Sequence, residues 1–202
     1  MEDSYIKRSF VLQIEGRYRQ WDIIARVEDG YLVMSHEIMH HVSFGDTNRW
    51  KDCFIRNYLH DVWLRPIRES LELKNIDSGE ILNYRTESTN DRIFILSKEE
   101  HTEWKTNVPL KSTPYWLRSS YGHLHTPYVW IVSPDGHHIG EAVHSAAIGV
   151  VPVMYLSERA IHQLVGPVLE AHDKPITKPE TPVKEEKTVD KPISLKPWKN
   201  RI

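Results

Sequence analysis

The chain has 202 residues, 40% hydrophobic and 27% charged, the composition of a soluble globular domain large enough for a real core. Its formal charge of −2 creates no global field toward nucleic acid or an anionic membrane, and no apolar run approaches the roughly 18 residues of a membrane span. A single cysteine, Cys53, excludes an internal disulfide and a CxxC zinc site.

In chain order, the opening MEDSYIKRSF is charged and mixed and lacks a secretory apolar region, so a cytoplasmic or virion-associated protein is expected. Phe10–Ile14 and Trp21–Val27 read as strands. Glu28-Asp29-Gly30 reads as a hairpin turn with Gly30 supplying positive φ, and Tyr31–Met34 as the return strand. From Trp50 to Leu64 apolar residues recur at helical spacing, at 50, 54, 55, 58, 59, 62 and 63. Asp91–Leu96 reads as a strand, followed by a capping box in which Ser97 is N-cap and Glu100 is N3. Strands then alternate with turns: Tyr115–Arg118, Tyr128–Val132, the turn Ser133-Pro134-Asp135-Gly136, and Gly149–Leu156. Ser157 caps a short helix through Leu164. The globular part is expected over 1–170. Residues 171–202 hold five of the twelve prolines and a net charge of +3, and are expected to be a disordered tail that docks on a partner or is simply solvated.

Residues 36–40, His36-Glu37-Ile38-Met39-His40, spell H-E-x-x-H, the zinc-peptidase motif. That chemistry needs both imidazoles on one face of a helix already running at the first histidine. Here a predicted strand runs into Ser35, and no third ligand is placed. The motif therefore reads as a coincidence in a chain with twelve histidines, with a zinc hydrolase kept as an alternative.

A longer pattern covers residues 10–157. It runs through Trp21…Glu28-Asp29-Gly30-Tyr31-Leu32-Val33-Met34-Ser35 and Trp50…Phe54-Ile55-Arg56-Asn57-Tyr58-Leu59. It continues through Asp91-Arg92-Ile93-Phe94-Ile95-Leu96-Ser97-Lys98-Glu99-Glu100 and Tyr115-Trp116-Leu117-Arg118-Ser119. Its last parts are Ser133-Pro134-Asp135-Gly136 and Gly149-Val150-Val151-Pro152-Val153-Met154-Tyr155-Leu156. In order and spacing this resembles a family of uncharacterised bacterial and phage domains with the signature W-x4-LR-x-WL, DKVFLLSxEE, WWLRS, GVRPALWL. The resemblance implies a relative of the formylglycine-generating-enzyme and C-type-lectin-like fold: α+β, with antiparallel strands and one or two helices. Ile55 stands where the family has Leu, and Val151 where it has Arg. The copper-binding cysteine pair of formylglycine-generating enzymes is absent, so that oxidase chemistry is not implied.

In C-type-lectin-like folds the late strands and loops form the ligand face. Here that segment holds Trp116, Arg118, Tyr121, His123, His125, Tyr128, Trp130, His137 and His138, with Glu141 and His144 nearby. Strand alternation places Tyr128, Trp130 and Val132 on one side and Val129 and Ile131 on the other. Rings with hydrogen-bonding tips suit protein or glycan recognition. His123 and His125, or His137 and His138, offer a metal pair, but solvated loop histidines are the simpler reading, and no cofactor is expected. No nucleophile elbow, dinucleotide or P-loop motif is present. The expectation is a non-enzymatic module that binds a protein or glycan, not nucleic acid or membrane. A virion or assembly component tethered by its tail is the third reading.

Overall fold

All six residues of β3 (Gly30–Ser35) are buried, so this strand is covered on both faces. That is why Tyr31-Leu32-Val33-Met34 is a continuous apolar run rather than an alternating one. The computed structural model, which describes residues 9–14, 17–27, 30–63, 65, 74–77, 88–122 and 126–165, is an α+β fold. β3 is the centre of a five-stranded antiparallel sheet. Its neighbours are β2 (Arg17–Val27) and β12 (Val153–Ser157), with β1 (Ser9–Ile14) outside β2 and β7 (Ile93–Phe94) outside β12. β2 carries a bulge between Ile23 and Ala25. The extra residue, Ile24, is buried, and its carbonyl accepts a hydrogen bond from Asn107 Nδ2 at 2.9 Å.

The second five-stranded sheet has the order β10 (His138–Ala142), β9 (Tyr128–Val132), β8 (Tyr115–Ser120), β11 (Gly149–Val150), β4 (His40–His41). Its pairings are antiparallel except β8 with β11, which meet in parallel at Tyr115 and Gly149. A two-stranded ribbon joins β5 (Lys74–Asp77) to β6 (Ser88–Asp91). α1 (Phe54–Tyr58), α2 (Lys98–Glu103) and α3 (Glu158–Val165) complete the described residues, three helices where one or two are expected. None is long and apolar enough to cross a membrane.

Three expectations need correction. Gly30 does not have positive φ. It is glycine because β12 presses on it: a Cβ there would stand 2.4 Å from Leu156 O and 2.5 Å from the Tyr155 hydroxyl. The helix expected over 50–64 is a 3-10 turn (Trp50–Asp52), then α1, then a π turn (Leu59–Trp63). It breaks at Cys53, whose extended backbone makes it the N-cap of α1 while its Sγ accepts from Arg56 N. Burial pushes the Cys53 thiol up to about 12, which leaves it a small core residue and not a nucleophile. The strand expected over 91–96 divides into β6 and β7 because Asp91 turns inward. Its carboxylate accepts from Thr89 Oγ1 (2.6 Å), Trp50 Nε1 (2.8 Å) and Arg56 Nε (2.9 Å). His60 Nε2 stands 3.1 Å away, within ion-pair reach but out of hydrogen-bond alignment. Burial alone raises this carboxyl, but the contacts from His60, Arg56, Thr89 and Trp50 outweigh it and hold Asp91 well below the usual carboxylate range.

The capping box on α2 forms as expected: Ser97 Oγ accepts from Glu100 N, and Glu100 Oε2 accepts from Ser97 N at 2.8 Å. Ser97 and the buried residues before it thus anchor a helix that lies beside the second sheet. Residues 171–202 lie outside the described residues.

Candidate functional site

The H-E-x-x-H segment is not helical. β3 ends at Ser35, the chain bends at 36–37, and His40 enters β4. His36 Nδ1 pairs with Asp22 Oδ2 at 2.8 Å, whereas His40 sets its ring edge-on to Tyr58 at 5.5 Å. Lys111 Nζ donates to the carbonyls of Ser35 (3.0 Å) and His36 (2.7 Å), fixing the bend. The two imidazoles therefore lack the shared helical face that zinc would require. Among the described residues no three His, Cys, Asp or Glu side chains are grouped to hold a metal.

On the second sheet, β9 divides largely as alternation requires. Val129 and Ile131 are buried, Tyr128 is exposed, and Trp130 is half-buried. Val132 departs from the pattern: it lies on the outer side yet is buried beside Tyr115, its partner on β8. Tyr121 follows β8 and is tied to β9 by its N–H, which donates to Tyr128 O at 3.0 Å. Its ring meets that of Trp130 edge-on, with centroids 4.6 Å apart, and lies 6.4 Å from that of Tyr128. Gly140, opposite Trp130 in the β9–β10 register, is what admits the Tyr121 ring. A Cβ at 140 would stand 2.7 Å from two of its carbons.

Two expected ligand residues belong instead to the interior. Trp116 has no exposure; it packs edge-on to Phe44 and its Nε1 donates to Val42 O at 2.8 Å. Arg118 is 2% exposed, forks onto the Glu100 carboxylate, and donates to Ile95 O at 2.7 Å. Every residue of β8 is buried, so neither side chain can reach a ligand. His123 and His125 lie outside the described residues.

The paired histidines diverge. His137 is exposed and pairs with Asp135 at 2.9 Å, and Asp135 is held down to about 2 by the Ser133 hydroxyl and by His137. His138 turns the other way, its Nε2 2.8 Å from Nδ1 of His101 on α2. Its ring is 6.4 Å from Trp130. Burial, the His138 charge and Lys105 push the imidazole of His101 down to about 4. Burial, then Lys98 and Lys105, also lower His138. Glu141 is half-buried on β10, while His144 is exposed and faces Asp46 at 4.0 Å.

Compared with known proteins, the chain matches no family model, no curated protein and no solved structure.

Two residues of the site, Lys98 and His101, are not among those the sequence marks for binding. Lys98 places its Nζ 3.8 Å above the Trp130 ring, and His101 reaches His138. Their i, i+3 spacing puts both on one face of α2, the only local signal that they act together. The resulting surface consists of Tyr121, Tyr128 and Trp130 with a cation resting on the indole. It offers ring faces, phenolic hydroxyls and one ammonium, and no nucleophile paired with a base.

Proposed function

We propose that the protein is a non-enzymatic recognition module, a C-type-lectin-like member of the family its motifs resemble. It binds a protein or glycan ligand through Tyr121, Tyr128 and Trp130, with His137 and His138 at the margin. The observation that carries the reading is the Tyr121–Trp130 pair, built on the outer side of β9–β10 with Tyr121 41% exposed. A large ring left in water forgoes burial that a core would use, and such rings give binding area at small entropic cost. Gly140 supports the reading, since a side chain there would displace Tyr121.

The test is a glycan and protein-partner screen with the full chain and with Tyr121→Ala, Tyr128→Ala and Trp130→Ala. A ligand should lose affinity by about tenfold or more in each variant, the loss expected for interface aromatics, while the thermal midpoint stays within a few degrees in Tyr128→Ala, the most exposed of the three. Ligands that bind all three variants as they bind the parent would refute the assignment.

A further inference from the structure

Resting on that reading, we infer that the ligand is a carboxylated glycan, whose acid group is received by Lys98 and whose sugar rings lie on Tyr121 and Tyr128. Among the described residues the Lys98 ammonium has neither an ion pair nor a hydrogen bond; it rests on the Trp130 ring. A cation held on an indole keeps its charge available to an incoming anion, and the ring restricts where that charge sits. Lys105 is exposed farther along, at the Ser133–Gly136 turn, its Cε 3.7 Å from where a Cβ on Gly136 would stand. Of the acids nearby, Glu99 is exposed and accepts from Ser119 Oγ at 3.2 Å, and Asp135 pairs with His137.

The geometry favours a sugar over an acidic peptide. Lys98 already covers the Trp130 face, so the free platforms are the rings of Tyr121 and Tyr128, 41% and 44% exposed. Their centroids are 6.4 Å apart with the planes inclined at 66°. Two inclined rings with hydroxyl tips can each take the C–H face of a pyranose while hydrogen-bonding its hydroxyls. A uronate carboxylate beside such a ring meets Lys98 in a charge-assisted hydrogen bond.

The experiment titrates the full chain with hexagalacturonate, with the same oligomer as its methyl ester, and with hexaglutamate. It is repeated on Lys98→Gln and Tyr128→Ala, with thermal midpoints recorded for each. Hexagalacturonate should bind, and the ester should bind about tenfold more weakly or not at all, the loss expected for one charge-assisted contact. Lys98→Gln should lose as much for the acid, and little for the ester, at an unchanged midpoint. No binding of hexagalacturonate, an ester that binds equally, an indifferent Lys98→Gln, or hexaglutamate binding as tightly would each overturn the inference. A neutral glycan or protein whose binding falls in Tyr128→Ala but not in Lys98→Gln would overturn it while leaving the recognition face intact. Ligands indifferent to both variants would remove both.

Discussion

His138 Nε2 and His101 Nδ1 are 2.8 Å apart, a hydrogen bond between two imidazoles that joins β10 to α2. One ring must donate and the other accept, so the contact tolerates at most one added proton. His101 is held down at about 4, and His138 is lowered as well. Unfolded histidines titrate near 6.5, so between about 6.5 and 4 the unfolded chain binds more protons than the folded one. Stability should therefore fall as pH is lowered through this window and be fully present above it. Thermal midpoints taken from pH 8 to pH 4 should show the slope, and His101→Gln should flatten it. An equal slope in that variant would assign it to other groups.

Asp91 acts in a lower window. Its folded carboxyl is depressed, so its contribution is present above the unfolded value near 4 and is lost as pH drops further. Asp91→Asn should cost about 3–5 kcal/mol at pH 7, because Arg56 and Trp50 lose a buried acceptor. Urea unfolding of the variant beside the parent measures it. A cost under 1 kcal/mol would show that the cluster can reorganise around the amide.

Arg118→Ala and Tyr128→Ala should separate interior from surface. Arg118 is buried against Glu100, and its loss should cost about 3–5 kcal/mol. Tyr128 is exposed, and its loss should fall within about 0.5 kcal/mol. Chemical denaturation of both variants under one condition decides this; similar costs would contradict the burial described.

Gly140→Ala should expel the Tyr121 ring from its seat against Trp130. Because Tyr121 can swing into solvent, the stability cost should stay near 1 kcal/mol, at the low end of overpacking. Proton NMR should show the ring contacts between residues 121 and 130 disappearing. Their persistence would mean the strand moves instead.

His36→Ala should destabilise by about 1–3 kcal/mol by leaving the buried Asp22 carboxylate unpaired. His40→Ala should be nearly neutral, since its ring is exposed at the sheet margin. Equilibrium unfolding compares them. Equal effects, together with loss of bound zinc from both variants, would restore the peptidase reading.

What could be read in advance was local. The Ser97–Glu100 cap spans three residues, and the turn at Ser133–Gly136 is written in its own residues, with Gly136 at φ 81°. The outward Tyr128 and Trp130 and the inward Val129 and Ile131 follow from alternation over five residues. β8 is buried along its whole length because both its faces are covered, which depends on segments far away in sequence. Trp116 and Arg118 lie inside for that reason, although the lectin-like resemblance places them on the ligand face. The Trp50–Leu64 spacing was equally misleading at Phe54 and Val62, both exposed, because the helix restarts after Cys53. Lys98 and His101 gained their roles only through contacts 32 and 37 positions distant, with Trp130 and His138.

Glu100 closes the cap of α2 with one oxygen and holds the guanidinium of Arg118 with both. A helix of six residues does not persist alone in water. During synthesis α2 emerges before its anchor on β8, so it has nothing to lean on until residues 115–120 have left the ribosome. Lys98 then acquires its aim only when Trp130 arrives. The surface thus exists only once β9 has emerged, and a nascent chain halted before β9 would carry Lys98 and Tyr121 without the Trp130 and Tyr128 that complete it.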